Sequence, residues 1–396
     1  MKLLAAATLS LLVTTSAFAA IHNVEAGPDA QERLQTALIE AEPGDTVQIG
    51  EGRFELTDGL SLDVDRVTVA GAGADATILD FTNQQGAGEG LYVTSDDVVL
   101  RDFAIENTTG DGIKSKDADR ITYTGLRVEW TGGPSPDNGA YGIYPVESTH
   151  VLVQNSIVRG ASDAGIYVGQ SDQIVVRHNV VEQNVAGIEI ENSYNADVYE
   201  NAVSQNTGGI LVFDLPNLPQ MGGHSVRVFR NAIADNNTDN FAPEGNIVAG
   251  VPAGTGIMVM ANRNVHIFEN ALTDNGSASV MIVAYRQPFE DENYNPLPRD
   301  VVVRDNVQNN AGYAPDFAGG AELAAAMGGR IPPIFWDGNG SGIVVNENTP
   351  VLSLGLTRPG QPVTEARPAP ADLRSDSVPT EPEAVVLPDS MAFANE

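Results

Sequence analysis

GIYVGQSDQIVVRHNVVEQNVAGIEIENS, residues 165–193, begins again before it ends. Gly165-Ile166-Tyr167 returns 22 residues later as Gly187-Ile188-Glu189 and after a further 22 as Gly209-Ile210-Leu211. Units of this kind open at Gly112, Gly142, Gly165, Gly187, Gly209 and Gly256, with a version lacking the glycine at Ser279. Each holds short runs of alternating polarity, such as 165–169 and 174–177, then an Asn, then a third run such as Val180-Val181. Runs this short are strands and cannot be helices. One triplet of strands cannot bury its own apolar side, but identical turns stacked on one another bury a continuous core. The pattern predicts an all-β, single-domain parallel β-helix.

In such a stack equivalent side chains lie about 4.8 Å apart. The Asn column, read as Asn155, Asn179, Asn201, Asn231, Asn270 and Asn306, is expected to form a hydrogen-bonded ladder. The Gly column is expected to supply backbone freedom at a corner.

Working outward, residues 29–41 place Leu34, Ala37, Leu38 and Ala41 on one helical face, fit to cover the first open turn. Pro43-Gly44-Asp45 then leads into the strand Thr46 to Ile49 and the turn Gly50-Glu51-Gly52. A capping helix, PGDTV and a Gly-rich turn resemble the pectin lyase-like right-handed β-helix superfamily over roughly residues 27–345. That resemblance implies the handedness; the fold hosts many functions and fixes none.

Residues 1–19 combine Lys2, an apolar run and Ala17-Phe18-Ala19, the pattern of a secretory leader cleaved near Ala19. The mature chain is then expected in a periplasm or outside the cell, with no membrane span. Residues 20–45 are expected to form the cap and 46–349 the β-helix, interrupted by insertions at 214–224, 236–255 and 287–299. Residues 350–396, rich in Pro, Ala, Ser and acids, are expected to form a disordered tail. A formal charge of −32, from 53 acidic against 21 basic residues, disfavours nucleic acid as a partner. The absence of Cys removes thiolate chemistry and Cys-based zinc sites.

In each strand after the Gly column the first residue should point inward and the next outward. The expected outward columns are Lys114, Tyr144, Tyr167, Glu189, Leu211, Met258 and Met281, and beside them Lys116, Val146, Gly169, Glu191, Phe213, Met260 and Val283. One half carries bases, phenols and carboxylates; the other is apolar. Lys114 and Lys116 could neutralise a uronate, Glu147, Glu189 and Glu191 could bind sugar, and Tyr141, Tyr144 and Tyr167 could move protons. The same residues also fit a plain solvated strand face. The apolar half is expected to be covered by 214–224, helped by 287–299.

Tyr141-Gly142-Ile143-Tyr144-Pro145-Val146-Glu147 resembles the YGxDPHE segment of alginate C5-epimerases, matching at Tyr141, Gly142, Pro145 and Glu147. The family's Asp is Tyr144 here and its catalytic His is Val146, which cannot move a proton. The resemblance implies a shared groove with Tyr141 as the residue carried over. The leader, repeat and acidic tail are also similar to an uncharacterised bacterial family of secreted β-helix proteins, which implies a second secreted protein as partner. Three readings follow: a protein that binds polysaccharide, with or without lyase or epimerase activity on it, a noncatalytic envelope assembly factor, and a copper-handling factor using His224 with Met258, Met260 and Met281. No cofactor is assigned.

Overall fold

The computed structural model describes residues 19–86 and 88–391. The expected leader falls on 1–19 and so lies almost wholly outside them. Each turn gives one strand to each of three sheets, two of 12 strands and one of 10, and neighbouring strands of the stack are parallel. The register runs Ile113↔Ile143, Ile143↔Ile166, Ile166↔Ile188, Ile188↔Ile210 and Ile210↔Ile257. These isoleucines are fully buried in one core that runs the length of the stack. The result is a right-handed parallel β-helix, the hand that parallel crossovers adopt. The sheet containing this isoleucine column is called the groove sheet below.

The first turn is covered by α1 (Ala30–Glu40), whose Ala30, Leu34, Ala37 and Leu38 are buried. Gln35 fixes it to the rim, donating to the Ser61 carbonyl at 3.0 Å and accepting from the Ser61 N–H at 2.9 Å. No helix among the described residues is long and apolar enough to cross a membrane.

Two readings of the repeat are corrected by the packing. The Gly column is not a corner, since Gly142, Gly187, Gly209 and Gly256 all lie within groove-sheet strands. A Cβ on Gly187 would stand 2.6 Å from the Gly209 carbonyl oxygen, and one on Gly209 2.4 Å from that of Gly256. Glycine is needed because successive turns approach too closely for a side chain. The Asn ladder runs through Asn179, Asn201, Asn231, Asn270 and Asn306, each side-chain amide donating to the next side-chain oxygen at 2.9–3.0 Å. Asn155 is not on it. It is exposed, and Ser156 takes the ladder position, its N–H donating to Asn179 Oδ1 at 3.0 Å.

A second ladder, which the repeat did not predict, stacks Asn184, Asn206, Asn236 and Asn275 with amide bonds of 3.0, 3.0 and 3.1 Å. Asn206 is fully buried and also donates to the carbonyls of Val181 and Ser204, both at 3.0 Å. Asn206→Ala should therefore orphan buried carbonyls and cost about 1–3 kcal/mol. A thermal melt checks this; an unchanged melting temperature would mean that the ladder contributes nothing.

The tail is also corrected. Strand Ala369–Ala371 pairs antiparallel with Val351–Ser353, and the Leu373 carbonyl accepts from the Val345 N–H at 2.9 Å, so the segment closes the far end of the stack. Further on, Glu381 pairs with Arg304 at 2.7 Å and Arg227 at 3.2 Å, and Met391 packs on Leu152 and Val175. Proline and acid content suggested disorder, but scattered apolar and charged anchors hold the chain to the outer wall.

Candidate functional site

The outward columns stack as the alternation requires: Tyr92, Lys114 and Tyr144 in one, then Tyr167, Glu189, Leu211, Met258 and Met281. Lys116, Val146, Gly169, Glu191, Phe213, Met260 and Val283 form the other. Outward does not mean open. Tyr92, Lys114, Lys116, Tyr141, Tyr144 and Glu147 are half-buried, whereas Tyr167, Glu189 and Glu191 are only 5%, 1% and 7% exposed. The reading of Glu189 and Glu191 as groove-lining, solvent-facing acids is corrected accordingly.

The apolar half is covered, for the most part by segments other than those expected. Phe241, Ile247, Val248 and Val251 of the 236–255 insertion pack onto it, joined by Phe317, Leu323, Ala324 and Ile331 around α2 (Gly320–Ala326) and by Val363 and Ala366 of the tail. The expected 214–224 and 287–299 insertions reach only its edge, where Leu215, Met221, Phe289 and Tyr294 pack with Met260 and Tyr285. His224 does not join the methionines. Its strand belongs to a different sheet, where its ring stacks on Tyr194 at 4.5 Å. Among the described residues no group of three or more His, Asp or Glu could hold a metal ion.

At the boundary between the open and covered halves, Tyr141, Tyr144 and Tyr167 form a ring cluster with centroids 4.5–4.9 Å apart. Lys114 Nζ lies 5.0 Å from the Tyr144 centroid and 3.8 and 3.9 Å from the carboxylates of Asp111 and Glu89. Lys116 pairs with Glu147 at 3.4 Å. Both lysines are thus already neutralised by acids.

Under the phenols lies a group of acids. The Tyr167 O–H donates to Glu191 Oε1 at 2.6 Å, and Asn246 from the covering insertion donates to Asp163 Oδ2 at 2.9 Å. Glu189 Oε2 is buried with no hydrogen-bond partner. Burial, reinforced by the charge of Glu191, pushes Asp163 up to about 7 and Glu189 well above the usual carboxyl range. Burial likewise raises Glu191 to about 7 and Asp111 to about 6. Desolvation with several like charges leaves Asp163, Glu189 and Glu191 protonated or sharing protons near neutrality, whereas Asp111, beside Lys114, is mostly ionised there. The same burial and the surrounding acids raise Tyr144 to about 12 and push Tyr141 and Tyr167 up as well. The phenols therefore hold their protons and are hydrogen-bond donors, not bases. Sequence reasoning missed Asp111 and Asp163; the available signal was an acid just ahead of the glycines at 112 and 165.

A family model described as the right handed beta helix region matches residues 66–218. No curated protein matches the chain. The mannuronan C-5 epimerase A-module of Azotobacter vinelandii is similar in structure, with a TM-score of 0.53, 15% identity, and 82% of this chain and 93% of that one covered. DFA-IIIase from Arthrobacter chlorophenolicus, solved without its lid, is similar at a TM-score of 0.53 and 13% identity, over 84% of this chain and 92% of that one. At these identities the likeness is one of fold, and the fold is the right-handed parallel β-helix.

Proposed function

We propose that this protein binds a neutral polysaccharide along the Tyr92 to Glu147 half of the groove sheet and acts on it with the carboxyl groups beneath. The observation that carries this reading is the meeting of a half-open face of phenols and lysines with buried carboxyls that keep protons near pH 7. An aromatic face with hydroxyl donors suits a sugar ring. A carboxyl that titrates near neutrality suits protonation of a glycosidic oxygen.

Electrostatics favour a neutral glycan over a uronate. Lys114 and Lys116 are paired with Asp111, Glu89 and Glu147, so neither is free to neutralise a sugar carboxylate. Proton abstraction beside a uronate also needs a base, and phenols pushed to about 12 and beyond do not supply one at neutral pH. The carbohydrate names carried by fold relatives support this reading by analogy alone. A leader at 1–19 would place the activity outside the cytoplasm.

The test is an array of neutral and uronic acid polymers probed with the mature protein. Binding to neutral glycans is expected, weakened up to about tenfold by Tyr144→Ala, since an aromatic contact is worth about 0.5–1.5 kcal/mol. Lys114→Ala combined with Lys116→Ala should leave it nearly unchanged. Binding to uronates alone, abolished by the lysine pair of substitutions, would replace this substrate with an acidic one. Binding to no glycan would overturn the reading in favour of a secreted protein partner.

A further inference from the structure

The cover over the apolar half does not fill the space beneath it. A cavity of about 270 Å³ remains. Phe213, Met258, Met260 and Met281 of the groove sheet line it together with Phe317 and Phe335. We propose that this cavity is a second binding site, separate from the polysaccharide face, for a small aromatic molecule that carries an anionic group.

Size sets the first constraint. A dry cavity of roughly 150 Å³ is enough for benzene, so this one accommodates a larger ring system. The walls set the second. Phe317 and Phe335 are 5.3 Å apart and tilted by 53°, leaving ring surface available to a planar guest. Thioethers adapt to irregular shapes and make favourable contacts with aromatic edges, and three of the chain's seven methionines are here.

Charge at the wall sets the third. Two ionisable side chains other than tyrosine line the cavity, Asp337 and Arg286. Asp337 is 1% exposed and occupied: it accepts from the Ala284 N–H at 2.9 Å and from the Asn339 N–H and side-chain amide at 2.8 and 3.1 Å. Arg286 is exposed, donates one N–H to the Gln361 carbonyl at 2.6 Å and makes no ion pair among the described residues. Arg286 is the cationic side chain among the lining residues; it lies close enough to act on Asp337, yet its exposed guanidinium on the rim of an apolar cavity favours a ligand with an acidic end.

Calorimetric titration of the mature protein with naphthoate and with naphthol tests this, and its outcome is independent of glycan binding. Saturable binding of one naphthoate per chain is expected, about tenfold tighter than naphthol, as one charge-assisted contact allows. Met281→Trp, which fills the cavity, should abolish binding of both. Arg286→Glu, on the exposed rim where folding is not at stake, should weaken naphthoate and spare naphthol. No saturable binding of either probe, or naphthoate binding unchanged in Arg286→Glu, would overturn the proposal.

Discussion

Ile188→Asp leaves the chain unfolded or melting far below its parent, whereas Glu189→Leu, one residue along, melts at the same temperature or higher. Ile188 is fully buried between Ile166 and Ile210 in the stacked column. A carboxylate there has no partner and no water, a penalty on the order of several kcal/mol, comparable with the whole stability of many domains. Glu189 faces the opposite way, under the cover, with Leu211 as its neighbour in the column and one carboxyl oxygen unpaired. Replacing a buried, unsatisfied acid with an apolar side chain of similar size removes a desolvation cost and is neutral or stabilising. Melting curves followed by circular dichroism check both. Equal damage from the two substitutions would mean that the inward and outward assignments are wrong.

The second large effect is a dependence of stability on pH above the ordinary carboxyl range. Asp163 and Glu191 are raised from 3.8 and 4.5 to about 7. Below pH 4 both folded and unfolded chains hold these protons, so nothing is lost. As pH rises from about 4 toward 7 the unfolded chain ionises freely while the folded one resists, so stability falls across that window and levels off above it. Every tenfold difference in proton affinity between the two states is worth about 1.4 kcal/mol, and the loss is shared among Asp163, Glu189 and Glu191, which titrate as one group. His266 works in the opposite direction: burial lowers it from 6.5 to about 4, so its contribution is lost as pH falls through that range. Comparing parent with Glu191→Gln cancels the histidine. Denaturant unfolding at pH 4.5 and 7.5 should show a steeper decline in the parent, and the variant should be the more stable at pH 7.5. Parallel profiles would show that Glu191 is ionised in the folded protein.

Much of the architecture was legible because a stacked repeat writes its packing into a period. The Gly-Ile spacing of 22 gave the isoleucine column, and alternation gave both outward columns down to Met281 and Val283. What failed was whatever the period does not encode. Asn155 and Ser156 are adjacent, and choosing between them needs the ladder itself. The glycines were explained by backbone freedom although a carbonyl of the next turn is what excludes a side chain. The cover of the apolar half rests on Val248 and Val251 in an aperiodic insertion, and the order of the tail on single contacts such as Glu381 with Arg304. Because those contacts are tertiary, the candidate site was read with the right columns and the wrong solvent.

The central claim is a store of protons beneath the phenols, and the carboxyl carbons report it directly. Side-chain carbon-13 NMR of Asp163, Glu189 and Glu191, followed from pH 3 to 9 and assigned with single Asn and Gln variants, should show Asp163 and Glu191 titrating near 7 and Glu189 remaining protonated beyond the normal range. In Glu191→Gln the Asp163 midpoint should fall, because its neighbour's charge is gone. Completion of all three titrations by about pH 5, as for carboxyls in water, would contradict the account.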